Sequence, residues 1–343
     1  MESILVLAHP EADGSLQRSA FEAVGAGAAL SKSLGASLAI GLFGADTGPS
    51  ASAVSAAGAE RILAVASPEL AVPRAAPDAV AIAAILKATG ATLVIAPGTS
   101  RMLRALPAVA ARLGARIDTK IFAIAAEGGK VGIQRPFYRQ RMSAELSRTA
   151  RPWILVLDPG AFAPVSLAAG SAKAESVPVE IPDACRRTRH EGYEAPPAGA
   201  ETLRPDAELL LVAGAGWTKK QSNGQVRLKD AESLILDFLA KAKASLGSSK
   251  SLVDQGVDGH GALSFLTHLH QVGQTGATPR HAKGLATCCH GEEPHTVGWR
   301  FIRERRAVNL DANCGWAQGK ADVLYVADAF EVLGKLNAVL KTT

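Results

Sequence analysis

The chain has 343 residues, of which 48% are hydrophobic and only 5% aromatic, and its formal charge at pH 7 is +5. This length predicts two domains, because one hydrophobic core rarely serves so long a chain. The basic residues are scattered and no aromatic residues are interleaved with them, so the composition indicates no nucleic-acid partner. Four cysteines in a chain of this size do not make a disulfide framework, which predicts a reduced, cytoplasmic protein. We expect no signal peptide, transit peptide or membrane span.

The first half of the sequence alternates short apolar runs with helical stretches. Such alternation is typical of an α/β sheet with crossover helices. We predict a first helix from Leu16 to Leu34, preceded by a Gly14-Ser15 cap and ended by Gly35. The other predicted elements are strands at Ile4–Ala8, Leu38–Phe43, Arg61–Val65 and Leu93–Ala96, and a helix at Ala79–Thr89.

A polar turn, Gly98-Thr99-Ser100-Arg101, follows the fourth of these strands and opens a helix that runs to Leu113. Two interpretations of this turn remain open. A polar turn between the carboxyl end of a strand and the start of a helix can hold an anion. Alternatively, its polar side chains only cap the helix.

A hairpin is predicted where Gly128-Gly129 separates Ile121–Ala125 from Val131–Arg135. We expect this hairpin to add antiparallel character to the sheet, which a strand at Trp153–Leu157 continues.

The composition changes between residues 166 and 206, where proline, alanine, glutamate and arginine dominate without a clear period. We predict a linker there, partly strand-like at Ser176–Ile181. It separates an N-terminal domain, residues 1–165, from a C-terminal domain, residues 207–343.

The C-terminal domain is predicted to begin with a strand from Leu209 that ends in Gly214-Ala215-Gly216. Its further predicted elements are a helix at Ala231–Ala244, a loop at Ser249–Asp254, a helix at Ala262–His268, strands at Lys283–Thr287, Ala307–Leu310 and Val323–Val326, and a helix at Ala329–Leu340 that Asp328 caps. This order again indicates a doubly wound α/β domain.

The Gly-x-Gly turn by itself also fits a nucleotide-binding enzyme. Such an enzyme needs an acidic ribose partner about twenty residues later, at the end of the second strand. Asp230 and Glu232 are nearest in sequence, but both fall at the start of a helix. The sequence therefore gives this alternative little support.

The polar stretch from His270 to Gly276 reads His-Gln-Val-Gly-Gln-Thr-Gly. Its glycines allow close approach of the backbone to a ligand, and its amide and hydroxyl groups can bond the edge of a flat polar ring. The stretch fits either a ligand loop or an exposed polar turn.

This stretch follows Leu246–Asp254 and precedes Gly291, His295, Asn309 and Asp311. With this order and spacing, the set of segments resembles the C-terminal flavin domain of the electron transfer flavoprotein alpha subunit family. The family's other segments are matched by Gly98–Arg101, Leu106–Ala115, Arg135–Tyr138, Arg151-Pro152 and Val326–Phe330. The resemblance spans nearly the whole chain. It implies an N-terminal α/β sheet of the adenine-nucleotide-hydrolase type and a C-terminal, doubly wound, parallel-sheet FAD-binding domain.

The resemblance also implies the residues that contact FAD. They are Ser249, Lys250, Gln271, Val272, Gly273, Gln274, Thr275, Gly276, His290, Gly291, Glu292, Glu293, Pro294, His295, Asn309 and Asp311. By this match Ser249 lies near the pyrophosphate, Thr275 near the flavin N5, and His295 by the flavin C2 carbonyl. Gln274 and the Val272–Gly273 backbone line the ring and ribityl chain. Asn309, with Asp311 nearby, faces the adenosine.

The sequence departs from the family at three places. Gly214-Ala215-Gly216-Trp217 stands for Gly-Gly-Arg-Gly, so an arginine is missing. Lys250 stands for an arginine and cannot lay a planar fork over the ring. Cys288-Cys289-His290-Gly291 stands for Gly-Ile-Ser-Gly, and Glu292-Glu293-Pro294 then replaces small, neutral residues and a glutamine. These departures predict an unusual flavin potential or redox partner.

A metal site at Cys288-Cys289-His290 and His295 is an alternative. Zinc ligands are normally spaced by two or more residues, and adjacent cysteines chelate poorly, so we predict no metal. His268 and His270 fit better as surface or cap residues of a helix end. The Gly-x-Ser-x-Gly pattern of hydrolases is absent, and we assign no catalytic residue.

The resemblance implies a bacterial, cytoplasmic electron carrier subunit rather than a stand-alone enzyme. It implies a heterodimer with a beta subunit, which the N-terminal domain contacts. Electrons pass from an acyl-CoA, methylamine-type or other dehydrogenase to a membrane quinone oxidoreductase, and the chain itself is not embedded in the membrane. The alternative is a flavin-free structural or regulatory paralogue that pairs with a beta-like subunit.

Overall fold

The computed structural model describes residues 2–138, 142–171, 173–192, 203–204, 207–257, 263–272, 280–289, 299, 302–314 and 321–340. The chain divides into two compact units, Met1–Tyr193 and Glu194–Thr343.

The first unit alternates strands and helices along the chain. Its strands are β1 (Ser3–Ala8), β2 (Ser37–Gly44), β3 (Arg61–Ala66), β4 (Leu93–Pro97), β5 (Arg116–Ile121), β6 (Ala123–Glu127), β7 (Lys130–Phe137), β8 (Met142–Ser147), β9 (Trp153–Leu157) and β10 (Glu175–Ser176). Its helices are α1 (Arg18–Leu34), α2 (Gly48–Ala53), α3 (Ala75–Thr89) and α4 (Ser100–Leu113). Seven strands form one parallel sheet in the order β10-β3-β2-β1-β4-β9-β5.

Apolar residues cover both faces of this sheet. Leu5 and Leu7 of β1 pack in a cluster with α3 and α4. Ile4 and Val6 of the same strand pack in a second cluster that includes residues of α1. Because a strand covered on both faces has no solvent side, β4 and β9 are buried along their whole length and read as continuous apolar runs.

The predicted C-terminal end of α1 is confirmed, whereas its predicted N-terminal cap is not. Gly35 ends the helix in the left-handed conformation, with φ of 59°, as predicted. The predicted Gly14-Ser15 cap is wrong, because the helix begins at Arg18 after Gln17. The Ser15 hydroxyl instead donates to the Asp13 carboxylate at 2.6 Å, so it is engaged in a local turn.

The predicted hairpin forms, but it does not extend the parallel sheet. Strands β6, β7 and β8 make a separate three-stranded antiparallel sheet. Gly128 and Gly129 both have positive φ, 55° and 75°, as a two-residue hairpin turn requires. The pairing of β5 with β9 shifts register between Asp118 and Ile121, just before the chain enters β6.

Residues beyond position 165 also contribute to the first unit. The short strand β10 pairs with β3, and Arg61 of β3 forms an ion pair with Glu175 of β10 at 2.8 Å. Ile181 and Cys185 are buried in the cluster that contains α3 and α4.

The second unit is built on a smaller parallel sheet. Its strands are β11 (Leu209–Ala213), β12 (Ser245–Ser248), β13 (Lys283–Thr287), β14 (Glu304–Asn309) and β15 (Val323–Val326), in the order β12-β11-β13-β14-β15. The described helices are α5 (Leu228–Ala242), α6 (Lys250–Val257) and α7 (Ala329–Val339). Helices α5 and α7 share one apolar cluster with the sheet, and the Asp328 carboxylate caps α7, as predicted.

Two predictions in this unit are wrong. The predicted loop at Ser249–Asp254 is largely helix α6, because Ser249 caps the chain as it leaves β12. The predicted helix at Ala262–His268 is not helical over residues 263–267; a short 3₁₀ turn, His268–His270, follows instead. Thr267 and His270 form a reciprocal capping box that fixes this turn.

The predicted α/β class, with two parallel sheets, is confirmed. None of the helices in the described part of the chain is both long and apolar enough to span a membrane.

Candidate functional site

The carboxyl ends of the second sheet form the candidate site. The chain passes outward from β11 to β12 and then returns to the other side of β11 to enter β13. The strand order therefore reverses between β11 and β13. In open α/β sheets, ligands bind beyond the carboxyl ends of the strands near such a reversal.

The reversal point itself is filled by protein. A Cβ atom at Gly214 would lie 2.2 Å from the Cys288 carbonyl oxygen, and one at Gly216 would lie 2.7 Å from the Cys288 Cβ. The Gly216 amide donates to the Cys288 carbonyl at 3.2 Å. These glycines therefore admit the chain's own backbone, which argues against the nucleotide-binding enzyme that the Gly-x-Gly turn suggested.

Cys288 has an unusual conformation for its residue type. Its φ is 57°, a left-handed value that favours glycine. Burial, and secondarily the charge of Asp328, raise the pKa of the Cys288 thiol to about 12. The thiol therefore stays protonated at neutral pH and is a packing group rather than a nucleophile.

Ser249 begins helix α6 at the free edge of the sheet. Its amide donates to the Ala213 carbonyl at 2.9 Å, and its hydroxyl accepts from the Leu252 amide at 3.3 Å. The preceding Ser248 is fully buried, and its hydroxyl has no partner in the part of the chain that the structure describes. A buried hydroxyl without a partner is costly, which makes this position a candidate for a ligand contact.

The structure brings the start of the Gln271–Gly276 stretch to the same place. Gln271 forms a parallel bridge with Ser248, and the Val272 amide donates to the Ser248 carbonyl at 3.1 Å. Val272 is buried against Gly247, where a Cβ atom would lie 2.6 Å from its side chain. Ser248 and Gln271, 23 positions apart in sequence, are thus adjacent, as a shared site requires.

Lys250 lies at the start of α6 with its side chain directed along the helix. Its Nζ is 3.5 Å from the Asp254 carboxylate, and the His268 Nδ1 is 4.0 Å from the same group. This ion pair is half-exposed, so it holds the lysine only weakly.

Asn309 and Asp311 lie at the end of β14. The Asn309 amide is buried and donates to the Cys289 carbonyl at 2.7 Å, while its oxygen accepts from the Asp311 amide at 3.1 Å. The Cys314 thiol donates to the same Cys289 carbonyl at 3.3 Å. Asn309 therefore fixes the backbone that leads into residues 290–298.

The remaining predicted contacts lie outside the described residues. They are Gly273, Gln274, Thr275, Gly276, His290, Gly291, Glu292, Glu293, Pro294 and His295. Three strand spacings separate β12 from β14, so Ser249 and Asn309 lie about 14 Å apart across the sheet, and a site that includes both would be about that long. A site of this length suits an extended ligand rather than a single ion.

In the described residues no group of three or more His, Cys, Asp or Glu side chains is arranged to hold a metal ion. Cys289 and Cys314 instead bond to carbonyl groups of the chain.

The polar turn of the first unit acts as a helix cap. The Thr99 hydroxyl accepts from the Met102 amide at 3.2 Å, and the His9 Nε2 lies 3.0 Å from that hydroxyl. Arg101 is buried and bonded to both oxygens of Asp78, at 2.7 and 2.9 Å. The positive charge of Arg101 is therefore already paired within the core. This pairing supports the interpretation of the turn as a helix cap rather than as an anion site.

Two features of the site were not predicted. Ser248 was overlooked, although a pair of serines at the end of an apolar run is visible in the sequence. The sequence predicts His270 as a surface or cap residue of a helix end; the surface alternative is wrong, because the side chain is buried. The structure shows that its Nδ1 accepts from the Thr267 amide at 3.1 Å, directly before Gln271.

The fold and site define a two-unit α/β protein whose second unit has a candidate site for an extended ligand at the carboxyl edge of its sheet. Comparison of the sequence with known proteins identifies the family within this class of protein. The electron transfer flavoprotein domain matches residues 4–185, which is more than half of the chain. The chain therefore belongs to the electron transfer flavoprotein alpha family.

The chain is also similar to Protein FixB of Clostridium saccharobutylicum, with 24% identity over 238 residues. That similarity covers 68% of this chain and 63% of FixB. Together with the domain match, it supports an electron transfer flavoprotein subunit.

Proposed function

We propose that the chain is the FAD-binding alpha subunit of a bacterial, cytoplasmic electron carrier, paired with a beta subunit. The observation that carries this proposal is the junction of Ser248, Ser249 and Gln271 at the edge of the second sheet. The family match supports the general class.

The described residues fit the cofactor at both ends. The Ser248 hydroxyl, which has no partner among the residues that the structure describes, and the amides at the start of α6 would hold phosphate oxygens, which favour hydroxyl and N–H donors. Asp311 is exposed at the end of β14 and would meet the adenosine end, with Asn309 beneath it as a support. When bound, FAD would supply the acceptance and release of electrons, while the protein supplies binding and orientation.

The contacts of Gly273, Gln274, Thr275, Gly276 and His295 with the flavin remain part of this proposal. So do the electron donor, a dehydrogenase, and the acceptor, a membrane quinone oxidoreductase. The first unit is proposed to contact the beta subunit.

The flavin-free paralogue stays a second candidate because of one observation. Both polar groups of the Asn309 side chain are satisfied within the chain, so this residue needs no ligand to stay bonded.

Co-expression with a beta subunit of the family, followed by sizing and flavin quantification, tests the proposal. We expect a one-to-one complex with one FAD on this chain and weak FAD binding by the chain alone. A colourless complex with both subunits intact and well folded would refute the flavin assignment.

A pair of serine variants tests the site itself. Ser248→Ala should weaken FAD binding about five- to tenfold, because one hydrogen bond to a charged group is lost. It should leave the stability of the FAD-free chain unchanged or higher, since the hydroxyl has no partner among the described residues. Ser249→Ala, at the second serine of the proposed site, differs in that it should also destabilise the FAD-free chain by about 1 kcal/mol through loss of the α6 cap. Equal FAD affinity in Ser248→Ala and the parent would remove Ser248 from the site.

A further inference from the structure

A second cavity lies in the second unit, away from the carboxyl edge of the sheet. Its volume is about 820 Å³, within the usual range of small-molecule sites. Residues that precede strands line it: Ala207 and Glu208 come before β11, and Ala244 comes before β12. The cavity therefore opens at the amino ends of these strands, opposite to the candidate cofactor site.

The lining of this cavity is mainly apolar. Side chains of α5, β12 and the segment before the 3₁₀ turn contribute Leu236, Leu239, Ala240, Ala242, Leu246 and Phe265. Leu236 is 48% exposed although it belongs to this lining. An apolar pocket that keeps such a side chain in contact with water gains stability when an apolar ligand covers it.

Two cationic residues stand at the cavity. Lys243 follows α5 and has no ion-pair partner in the described part of the chain. Arg204 donates its Nη2 to the Lys243 and Ala244 carbonyls at 3.0 and 3.1 Å, and its buried Nε has no partner in the described chain. Among the described lining residues the one carboxylate, Glu208, is paired with Lys283 at 2.6 Å. The described lining therefore carries a net positive charge.

Lys243 is held in a conformation that is unfavourable for lysine. Its φ is 48°, in the left-handed region where a helix normally ends with glycine or asparagine. A lysine in a strained left-handed backbone conformation suggests that its side chain has a function. The use that the geometry offers is an ammonium group at the rim of an apolar cavity.

We propose that this cavity binds a medium-chain aliphatic carboxylate, with its chain against α5 and Phe265 and its carboxylate at Lys243 and Arg204. A single negative charge matches the Lys243 ammonium, which has no ion-pair partner in the described residues, together with the neighbouring Arg204 guanidinium. A doubly charged phosphate would be repelled by Glu208 more strongly than a carboxylate. Because His270 also lines the cavity, an occupant would contact the turn that precedes Gln271.

Calorimetric titration of the full chain tests this proposal, with decanoate as the probe below its micelle concentration. We expect saturable one-to-one binding. Decylamine has the same chain with the opposite charge, and it should bind at least about tenfold more weakly. Equal binding of the two probes would overturn the proposal, because it would show an unspecific apolar surface.

Three variants locate the site. Lys243→Asn removes the charge but suits the left-handed conformation, and it should weaken decanoate binding three- to fivefold, which is about 1 kcal/mol. Ala240→Phe fills the cavity from an exposed position and should weaken binding about tenfold or more. Lys229→Gln removes an exposed charge from the other end of α5, and binding should not change.

Circular dichroism confirms that each variant is folded before titration. Binding that is unaffected by both Lys243→Asn and Ala240→Phe would place decanoate elsewhere and refute the proposal. Since no step of the titration requires FAD, failure of the flavin assignment would leave this result intact.

Discussion

His9 is buried directly after β1, the central strand of the first sheet. Its surroundings disfavour the protonated, positively charged form of the ring. Its ring lies 5.9 Å from the ring of Phe43, over which the Arg101 guanidinium is placed at 5.0 Å. Burial, together with the positive charge of Arg101, lowers the pKa of His9 from 6.5 to about 4. The folded state therefore holds His9 as the neutral ring.

This residue should make the first unit sensitive to acid. Between pH 6.5 and about 4 the unfolded chain binds a proton at His9 that the folded chain does not, so stability falls as the pH falls through this window. At pH 5 the loss should be about 2 kcal/mol relative to pH 7.5.

Urea unfolding of the parent and of His9→Gln at both pH values measures this loss. The variant, which can still bond to Thr99, should lose about 2 kcal/mol less than the parent. His268→Gln changes an exposed histidine and serves as the control. Parallel pH dependence of the parent and His9→Gln would show that His9 is charged in the folded chain.

At the scale of elements, the loops after β11 and β13 fit together as a pair. The family arginine is replaced by Gly216 and a family glycine by Cys288, and the structure shows that these two positions touch. Because of this contact, a side chain at position 288 leaves no space for a side chain at position 216. The two departures therefore belong to one change in packing.

We expect Gly216→Ala to destabilise the second unit by about 1–3 kcal/mol, because the new Cβ would lie 2.7 Å from the Cys288 Cβ. In a Cys288→Gly background the cost should fall by about 1 kcal/mol or more, since the obstructing side chain is gone. Chemical denaturation of the four proteins of this cycle measures the coupling.

Gly132→Ala is a matched control, because nothing lies within 4 Å of its Cβ position. Additive costs in the cycle would mean that the two loops relax independently of each other.

At the scale of the whole molecule, the boundary of the first unit lies later than composition suggests. The sequence predicts a linker from residue 166, whereas β10, Ile181 and Cys185 all pack on the first unit. Arg186 also forms an ion pair with Glu69 at 2.9 Å. A proline-rich segment without periodicity can therefore be an ordered part of a domain.

Two fragments test this boundary. A fragment of residues 1–192 should be more stable than a fragment of residues 1–165 by about 3 kcal/mol or more, because the shorter one loses the burial of Ile181 and Cys185 and the pairing of β10. Thermal and urea unfolding of both fragments measures the difference. Ile181→Ala in the longer fragment separates the side-chain contribution from the strand pairing. Equal stability of the two fragments would support the boundary at 165.

Local features of this protein follow directly from its residues. Apolar runs such as Ile4–Ala8 and Trp153–Leu157 indicated buried strands, because strands covered on both faces must be continuously apolar. Gly35, Gly128-Gly129 and Asp328 indicated a helix end, a turn and a cap, since these signals act within a few residues. The family was also visible in local motifs.

Contacts between residues distant in sequence come instead from the three-dimensional fold. The contact of Ser248 with Gln271, the closure of Gly216 by Cys288 and the burial of Arg101 against Asp78 depend on how strands are ordered and paired. Sequence patterns report the burial of a residue but not the identity of its neighbour. For the same reason, the helix at Lys250 and the turn at His268 were missed: a few capping bonds, set by the strand from which the chain leaves, outweigh a weak local preference.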